Sequence, residues 1–392
     1  MIDSIKNKLR EWELYDFSRE LYRLLVKKIG ARILSLFMIK ERLGKSSSKL
    51  VVGIIDPSGF GDTLVELPLI EKIRGIVGHE NCVIVFCNKY SSFYNDFNQI
   101  DLAVQYKNDI VSFAKLNAGC DLVLSIGTAN HVLNVRKINR KKVRNYSPKL
   151  LCYCDETMNF LRKNFGSCMH NYRIDQYGIL MGKHRIEFLD MKGILGVKRT
   201  DAVCMPSFDE YNMILDKFEL RGRKYIVVNR DTGSGEENQP KLWPLDRYIT
   251  LLKQIKKTYP DMLLVLIGGK PDKTLAQYVD VDTTGQTNLQ ELAVLLKNSQ
   301  FLFACEGGPV HLQHFIGGKS VVVFGPTSPA MFGYDENENI SLTRCTHYCL
   351  WMVDNWSDKC IKGALCPECM EEITPDIVMN HIVKIIGGQR VD

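Results

Sequence analysis

Phe301-Leu-Phe-Ala-Cys305, Glu306-Gly-Gly-Pro-Val-His-Leu312 and Ser320-Val-Val-Val-Phe-Gly325 decide the fold of this chain. The first run is apolar without interruption, as expected of a short strand buried on both faces. A glycine pair follows with Pro309 behind it, and this is how a helix opens: the N–H that proline lacks would have no partner in a first turn. The third run is apolar again and is closed by Pro326 and Pro329. Strand, helix and strand at this spacing predict a crossover unit of a parallel sheet.

The same pattern extends in both directions. Towards the N-terminus, Tyr225 to Asn229 reads as a strand running into a polar loop up to Pro240. A helix is expected from Leu245 to about Lys257, and a strand from Met262 to Ile267 ending in Gly268-Gly269. Asn288 to Lys297 reads as a helix, with Asn288 and Glu291 in capping-box spacing. The first half repeats the theme with Leu50 to Ile55, the loop Asp56-Pro-Ser-Gly-Phe-Gly-Asp62, a helical pattern from Thr63 to about Val77, and strands at Cys82–Cys87 and Asp121–Ile126. The fold class is therefore α/β, with two Rossmann-like doubly wound domains facing a cleft and a helical extension in front. Residues 1–49 form that extension with its linker, 50–205 and 206–372 the two domains, and 373–392 a C-terminal helix. Ligands of such sheets bind outside the carboxyl ends of the strands, where the glycine-bearing loops lie.

Length and composition agree. The chain has 392 residues, of which 45% are hydrophobic and 24% charged, enough for about two domains, each with its own core. Disordered, collagen-like and small disulfide-stapled classes are excluded. No apolar run approaches the roughly 18 residues that a membrane-spanning helix requires, and charges interrupt every apolar stretch of the first thirty residues. The sequence thus predicts a cytoplasmic protein. The formal net charge of +6 is concentrated in the first fifty residues, which carry 12 Lys/Arg against 6 Asp/Glu, while the remainder is balanced at 39 of each. Phe17, Leu21, Leu24, Leu25, Ile29, Ile33 and Leu36 recur there at near-helical spacing, with Lys27, Lys28 and Arg32 on other faces. Such a segment is either a basic amphipathic helix for peripheral contact with an anionic membrane or an accessory helix packed on the first domain.

Of 13 cysteines, eight are scattered and read as small buried hydrophobes. Cys345, Cys349, Cys360, Cys366 and Cys369 cluster, and thiolate pairs at such spacing suit a structural zinc or iron ion. Free buried thiols are the alternative.

Four ordered segments resemble glycosyltransferase family 9, the heptosyltransferases of the bacterial lipopolysaccharide inner core. They are Gly61-Asp62-Thr63-Leu64 with Leu67-Pro68, Lys241-Leu-Trp-Pro-Leu245, Thr284-Gly-Gln-Thr287 with Leu289 and Glu291-Leu292, and Glu306 to Leu312 with Val321 to Thr327. Together they span roughly residues 50–330. The resemblance implies the GT-B architecture and transfer of a heptose from an ADP-sugar with inversion, without a cofactor in catalysis. The acceptor is expected to be an anionic or lipid-linked core glycan, which would bring the protein to the inner membrane.

The residues can be assigned to that chemistry. Transfer requires a base for the acceptor hydroxyl and charge compensation on the leaving diphosphate. Asp62, between a strand and a helix and beside Gly61, is either a helix N-cap or the general base. Lys241 is either a solvated surface lysine or the cation that holds the diphosphate. Gly307 and Gly308, at a helix start, offer bare amides to an anion. His311 lies one turn further and is a donor-site residue or a satisfied core histidine. Asn229, Thr232, Ser234, Gly268 and Gly269 complete the expected donor site with Glu306, where the family usually has Asp. Arg136, Lys137, Arg140 and Lys141 form a basic stretch, read either as a solvated face or as the seat of an anionic acceptor. Nucleic acid is not expected, because no aromatic platform accompanies that patch. Another donor sugar, a protein acceptor, or a sugar-nucleotide-binding protein without catalysis remain alternative readings.

Overall fold

The computed structural model describes residues 48–126, 133–165, 171–231, 240–342, 348–349, 360–363 and 367–387. The basic amphipathic extension lies outside them.

The first sheet has five strands in the order β3-β2-β1-β4-β5. They are β1 (Leu50–Asp56), β2 (Cys82–Asn88), β3 (Leu102–Gln105), β4 (Leu122–Ile126) and β5 (Leu133–Ile138). The first four are mutually parallel, and β5 runs antiparallel to β4 along one edge. The second sheet has six parallel strands in the order β11-β10-β9-β6-β7-β8. These are β6 (Tyr225–Asn229), β7 (Leu263–Ile267), β8 (Val281–Asp282), β9 (Leu302–Cys305), β10 (Ser320–Val323) and β11 (Glu338–Ile340).

Strand periodicity assigns each side chain to a face. Leu50, Val52 and Ile54 of β1 enter one apolar core and Val51 and Ile55 another, as the two-residue repeat of a strand requires. In β6, Tyr225 and Val227 join the core that contains Leu50, while Ile226 and Val228 face a second core with Trp243, Tyr248 and Ile382. Both sheets are therefore covered on both faces, and one continuous apolar core ties them together. This rigid backing fixes where the loops at the strand ends can go.

Two local details differ from the sequence reading. The helical pattern from Thr63 to Val77 is two helices, α1 (Phe60–Leu64) and α2 (Leu67–Val77), because Pro68 opens a fresh first turn. The basic stretch after β4 begins as strand β5 rather than as a helix, and charged side chains on an edge strand keep it from pairing with another chain.

Candidate active site

The first half of the site is the loop after β1. Asp56 ends that strand opposite Asn88, whose Nδ2 donates to the Asp56 carbonyl at 2.9 Å. The Ser58 N–H donates to Asp56 Oδ1 at 2.8 Å, which turns the chain. Gly59 then caps α1, with the Thr63 N–H reaching the Gly59 carbonyl at 3.1 Å. Asp62 therefore sits in the first turn of α1 at the carboxyl end of the sheet, where a helix N-terminus favours negative charge.

The second half is assembled by packing. Trp243 is fully buried and edge-on to Tyr248 and Phe303, with ring centroids 5.2 and 5.7 Å away. Its indole donates to the Ile373 carbonyl at 2.8 Å, and its backbone N–H donates to Cys305 Sγ at 3.4 Å. Cys305 ends β9 and Glu306 follows it, so anchoring Trp243 there brings Lys241, two residues earlier, to Glu306. Their Nζ and Oε2 atoms are 2.5 Å apart. Gly307, with its extended backbone, caps α3 (Gly308–Phe315). His311 is buried one turn into α3, with Nδ1 2.7 Å from the Tyr334 hydroxyl and Nε2 3.8 Å from Glu306 Oε1.

The two halves meet backbone to backbone. A Cβ on Gly61 would lie 2.7 Å from Gly308 Cα and 3.0 Å from His311 Cδ2, so only glycine allows this approach. Charges therefore converge across the contact. Burial pushes the Asp62 carboxyl above its usual range, while Arg185, His311 and Lys241 pull the other way. Burial would also raise Glu306, but Lys241 and His311 outweigh it and hold that carboxyl below the ordinary range. Burial drives the His311 imidazole down to about 4, against the pull of Glu306 and Asp62, so it is neutral at pH 7.

The structure brings Gly61, Asp62, Lys241, Glu306, Gly307, Gly308 and His311 together. Asn229 lies at the same end of its sheet but serves the scaffold: its Nδ2 donates to the Ile267 carbonyl, and its own carbonyl accepts from Tyr248. Gly268 and Gly269 follow β7, with the Gly269 N–H donating to Asp231 at 3.1 Å. Thr232 and Ser234 lie outside the described residues. The basic stretch is not brought to Asp62. In the antiparallel pair Lys137 stands opposite Val123 and Leu133 opposite Ile126, so β5 leads away from the carboxyl end of β4. Lys137 bonds the Asn117 carbonyl and Arg140 forks onto Asp155, while exposed Arg136 and Lys141 flank them. Sequence reading missed Arg185, Asp56, Glu66 and Tyr334. Asp56 was legible only as part of a turn, and Arg185 stands 123 positions from Asp62 with no motif around it.

Cys345 and Cys366 lie outside the described residues. Cys349 is buried, and Cys360 and Cys369 are half-buried. Among the described residues no group of three metal-binding side chains assembles, and no helix is long and apolar enough to cross a membrane.

Comparison with known proteins supplies the relationship. Residues 199–356 match the model of glycosyltransferase family 9 (heptosyltransferase). Lipopolysaccharide heptosyltransferase 1 of Campylobacter coli is 26% identical over 138 residues, a match spanning 32% of this chain and 39% of the relative. The structure described as E. coli ADP-heptose lps heptosyltransferase II superposes with a TM-score of 0.57 at 13% identity, covering 87% of this chain and all of that one. The iron-containing dodecameric glycosyltransferase TibC of enterotoxigenic E. coli gives 0.54 at 13% identity, over 88% of this chain and 77% of that one. Residues 199–356 thus match the glycosyltransferase family 9 domain, and the chain as a whole shares the fold of these solved glycosyltransferase structures.

Proposed function

We propose that the protein transfers a heptose or related sugar from an ADP-sugar to a lipopolysaccharide core-type acceptor, with inversion. One observation carries the reading: Asp62 from one domain and the Lys241–Glu306 pair from the other converge where Gly61 meets Gly308. The donor's diphosphate lies against the start of α3, its charge met by Lys241 and the amides of Gly307 and Gly308. Glu306 accepts hydrogen bonds from the sugar hydroxyls. The acceptor hydroxyl approaches the opposite face of the sugar and gives its proton to Asp62. Its oxygen bonds to the anomeric carbon as the bond to the diphosphate breaks, and ADP leaves with that electron pair. Bare glycines at the meeting point exclude water, which would otherwise compete as acceptor. The donor named for the E. coli relative and the lipopolysaccharide acceptors named for both heptosyltransferases support these substrates.

Transfer by these groups requires no cofactor. Cys345, Cys349, Cys360, Cys366 and Cys369 offer soft thiolates that suit a structural zinc or iron ion, and the iron-containing relative supports it; such an ion would tie the C-terminal segment together. The protein works in the cytoplasm, at the inner membrane through its basic N-terminal segment.

The test is a thermal-shift screen of the full chain against nucleotide sugars, followed by a transfer assay with the best ligand. A donor at 100 times its Kd adds about 2.7 kcal/mol of apparent stability. A chain that binds ADP-sugars yet neither transfers nor hydrolyses them, in wild type and Asp62→Asn alike, would be a binding protein instead.

A further inference from the structure

Tyr334 follows a one-turn helix (Pro329–Phe332) of the second domain and is buried. Its backbone is tied down locally, the carbonyl accepting from Asn339 Nδ2 at 2.8 Å and from the Asn337 N–H behind it, at 3.2 Å. Its ring lies flat on the His314 imidazole, with centroids 3.6 Å apart and planes within 10°, and His314 in turn bonds Glu336 through Nδ1. The buried His184 ring of the first domain packs against it at 5.1 Å. A phenol held by both its ring and its backbone has little freedom in where its hydroxyl goes. That hydroxyl meets His311 Nδ1 at 2.7 Å, the two rings standing at 84° to each other.

The direction of this hydrogen bond follows from what faces the other nitrogen. Nε2 stands 3.8 Å from Glu306 Oε1, while Lys241 takes the second oxygen, Oε2, at 2.5 Å. A bare lone pair turned towards a carboxylate would be repelled, so the single proton of the neutral ring belongs on Nε2 and Nδ1 is the acceptor. The tyrosine hydroxyl therefore donates, its own proton kept by burial. The Nε2 edge is also the edge at the meeting of the domains: Cδ2, the carbon bonded to Nε2, is the ring atom 3.0 Å from where a Cβ on Gly61 would stand. A separation of 3.8 Å is too long for a direct hydrogen bond. It suits a hydroxyl about 2.8 Å from each atom, accepting from Nε2–H and donating to Oε1.

We propose that Tyr334 is a positioning residue for the donor's sugar: by donating to His311 Nδ1 it holds the imidazole proton on Nε2, which makes Nε2–H and Glu306 Oε1 a matched donor and acceptor for one sugar hydroxyl. This rests on the donor site proposed above. A pair that both gives and takes a hydrogen bond selects a hydroxyl. A sugar lacking it there would leave a buried N–H and a carboxylate oxygen without their partner, which costs more than the contact itself returns.

The experiment is calorimetric titration of the full chain with ADP-heptose and with ADP alone, for wild type, Tyr334→Phe, His311→Gln and the double variant, beside a transfer assay. Tyr334→Phe retains the ring and its stacking on His314. It is expected to weaken ADP-heptose binding about tenfold, as loss of one well-placed hydrogen bond does, and to leave ADP binding unchanged. In transfer, the KM for ADP-heptose should rise by the same factor at constant kcat, the mark of a contact made equally in the ground and transition states. His311→Gln offers an amide N–H in place of Nε2–H with no tautomer to set, so Tyr334→Phe should cost nothing further beside it. Unchanged ADP-heptose binding in Tyr334→Phe, equal weakening of ADP and ADP-heptose, or a tenfold loss that persists beside His311→Gln overturns the inference. Should Tyr334→Phe not fold, His311→Gln and His311→Leu decide: the amide should keep the preference for ADP-heptose over ADP and leucine, which donates nothing, should lose it, and the same preference in both overturns the inference. A wild type that binds ADP-heptose no more tightly than ADP refutes the donor reading itself, whatever Tyr334 does.

Discussion

The two halves of the site are held by different physics. In the second domain Lys241 and Glu306 are placed by packing: Trp243, Tyr248, Phe303 and Cys305 form a close-packed knot, and the charged pair rides on its rim. In the first domain Asp62 is placed among buried charge, with Arg185, Asp56 and Glu66 around it. A packed knot is stiff at any pH. A charge cluster is only as well ordered as its protonation state, so Asp62, the proposed base, should be far more sensitive to pH than the Lys241–Glu306 pair.

The largest expected effect is on chemistry. Asp62→Asn should lower the transfer rate by 10²–10⁴-fold, the span that a positioned general base supplies, with donor binding unchanged. A transfer assay beside calorimetric titration of the nucleotide sugar checks this.

Next comes the knot. Trp243→Ala should cost about 3–5 kcal/mol of stability, measured by denaturant unfolding, and should weaken donor binding by releasing Lys241. Loss of stability with donor affinity intact would show that Lys241 is placed by something else. Lys241→Met tests the charge without the packing. Removing one preorganised electrostatic contact of this kind is expected to cost about 10²–10³-fold in kcat, read from initial rates at saturating donor.

The smallest effect separates the two halves by pH. Asp56 titrates near 3.8 when unfolded and at about 6 when folded, so the folded state keeps its proton to higher pH. Stability from this group is complete below about pH 4 and is lost as pH rises through 6, by about 2–3 kcal/mol. Asp56→Asn has nothing to titrate there. Its stability relative to wild type should rise between pH 4 and pH 7 and then level off, whereas that of Lys241→Met should fall as pH rises, because buried Glu306 loses the cation that lets it ionise. A flat difference in denaturation midpoints across that range would deny that buried Asp56 keeps its proton.

Much of this was legible in the sequence, for physical reasons. Parallel strands buried on both faces leave continuous apolar runs, and β1, β2, β6, β7, β9 and β10 fall where those runs predicted. The turn from β9 into α3 was legible because Glu306, Gly307, Gly308 and Pro309 are contiguous and their backbone requirements are local. The charge cluster was not, because Arg185 reaches Asp62 only through the tertiary fold. The strand β5 was hidden for a related reason: on an edge, half its side chains face water and carry charge, so Arg136 and Lys137 read as part of a helical or solvated stretch. The five cysteines announce themselves by number, but no spacing rule chooses four partners among them.

The meeting of Gly61 with Gly308 has a bearing on how such enzymes diversify. There the two domains touch through bare backbone, with the Phe60 and His311 side chains beside the contact. Preference for one sugar over another, or for one acceptor over another, therefore has to be written around the rim of that bare patch, in residues such as Glu306. New specificities can then arise by changing the rim while the bare seam is left untouched.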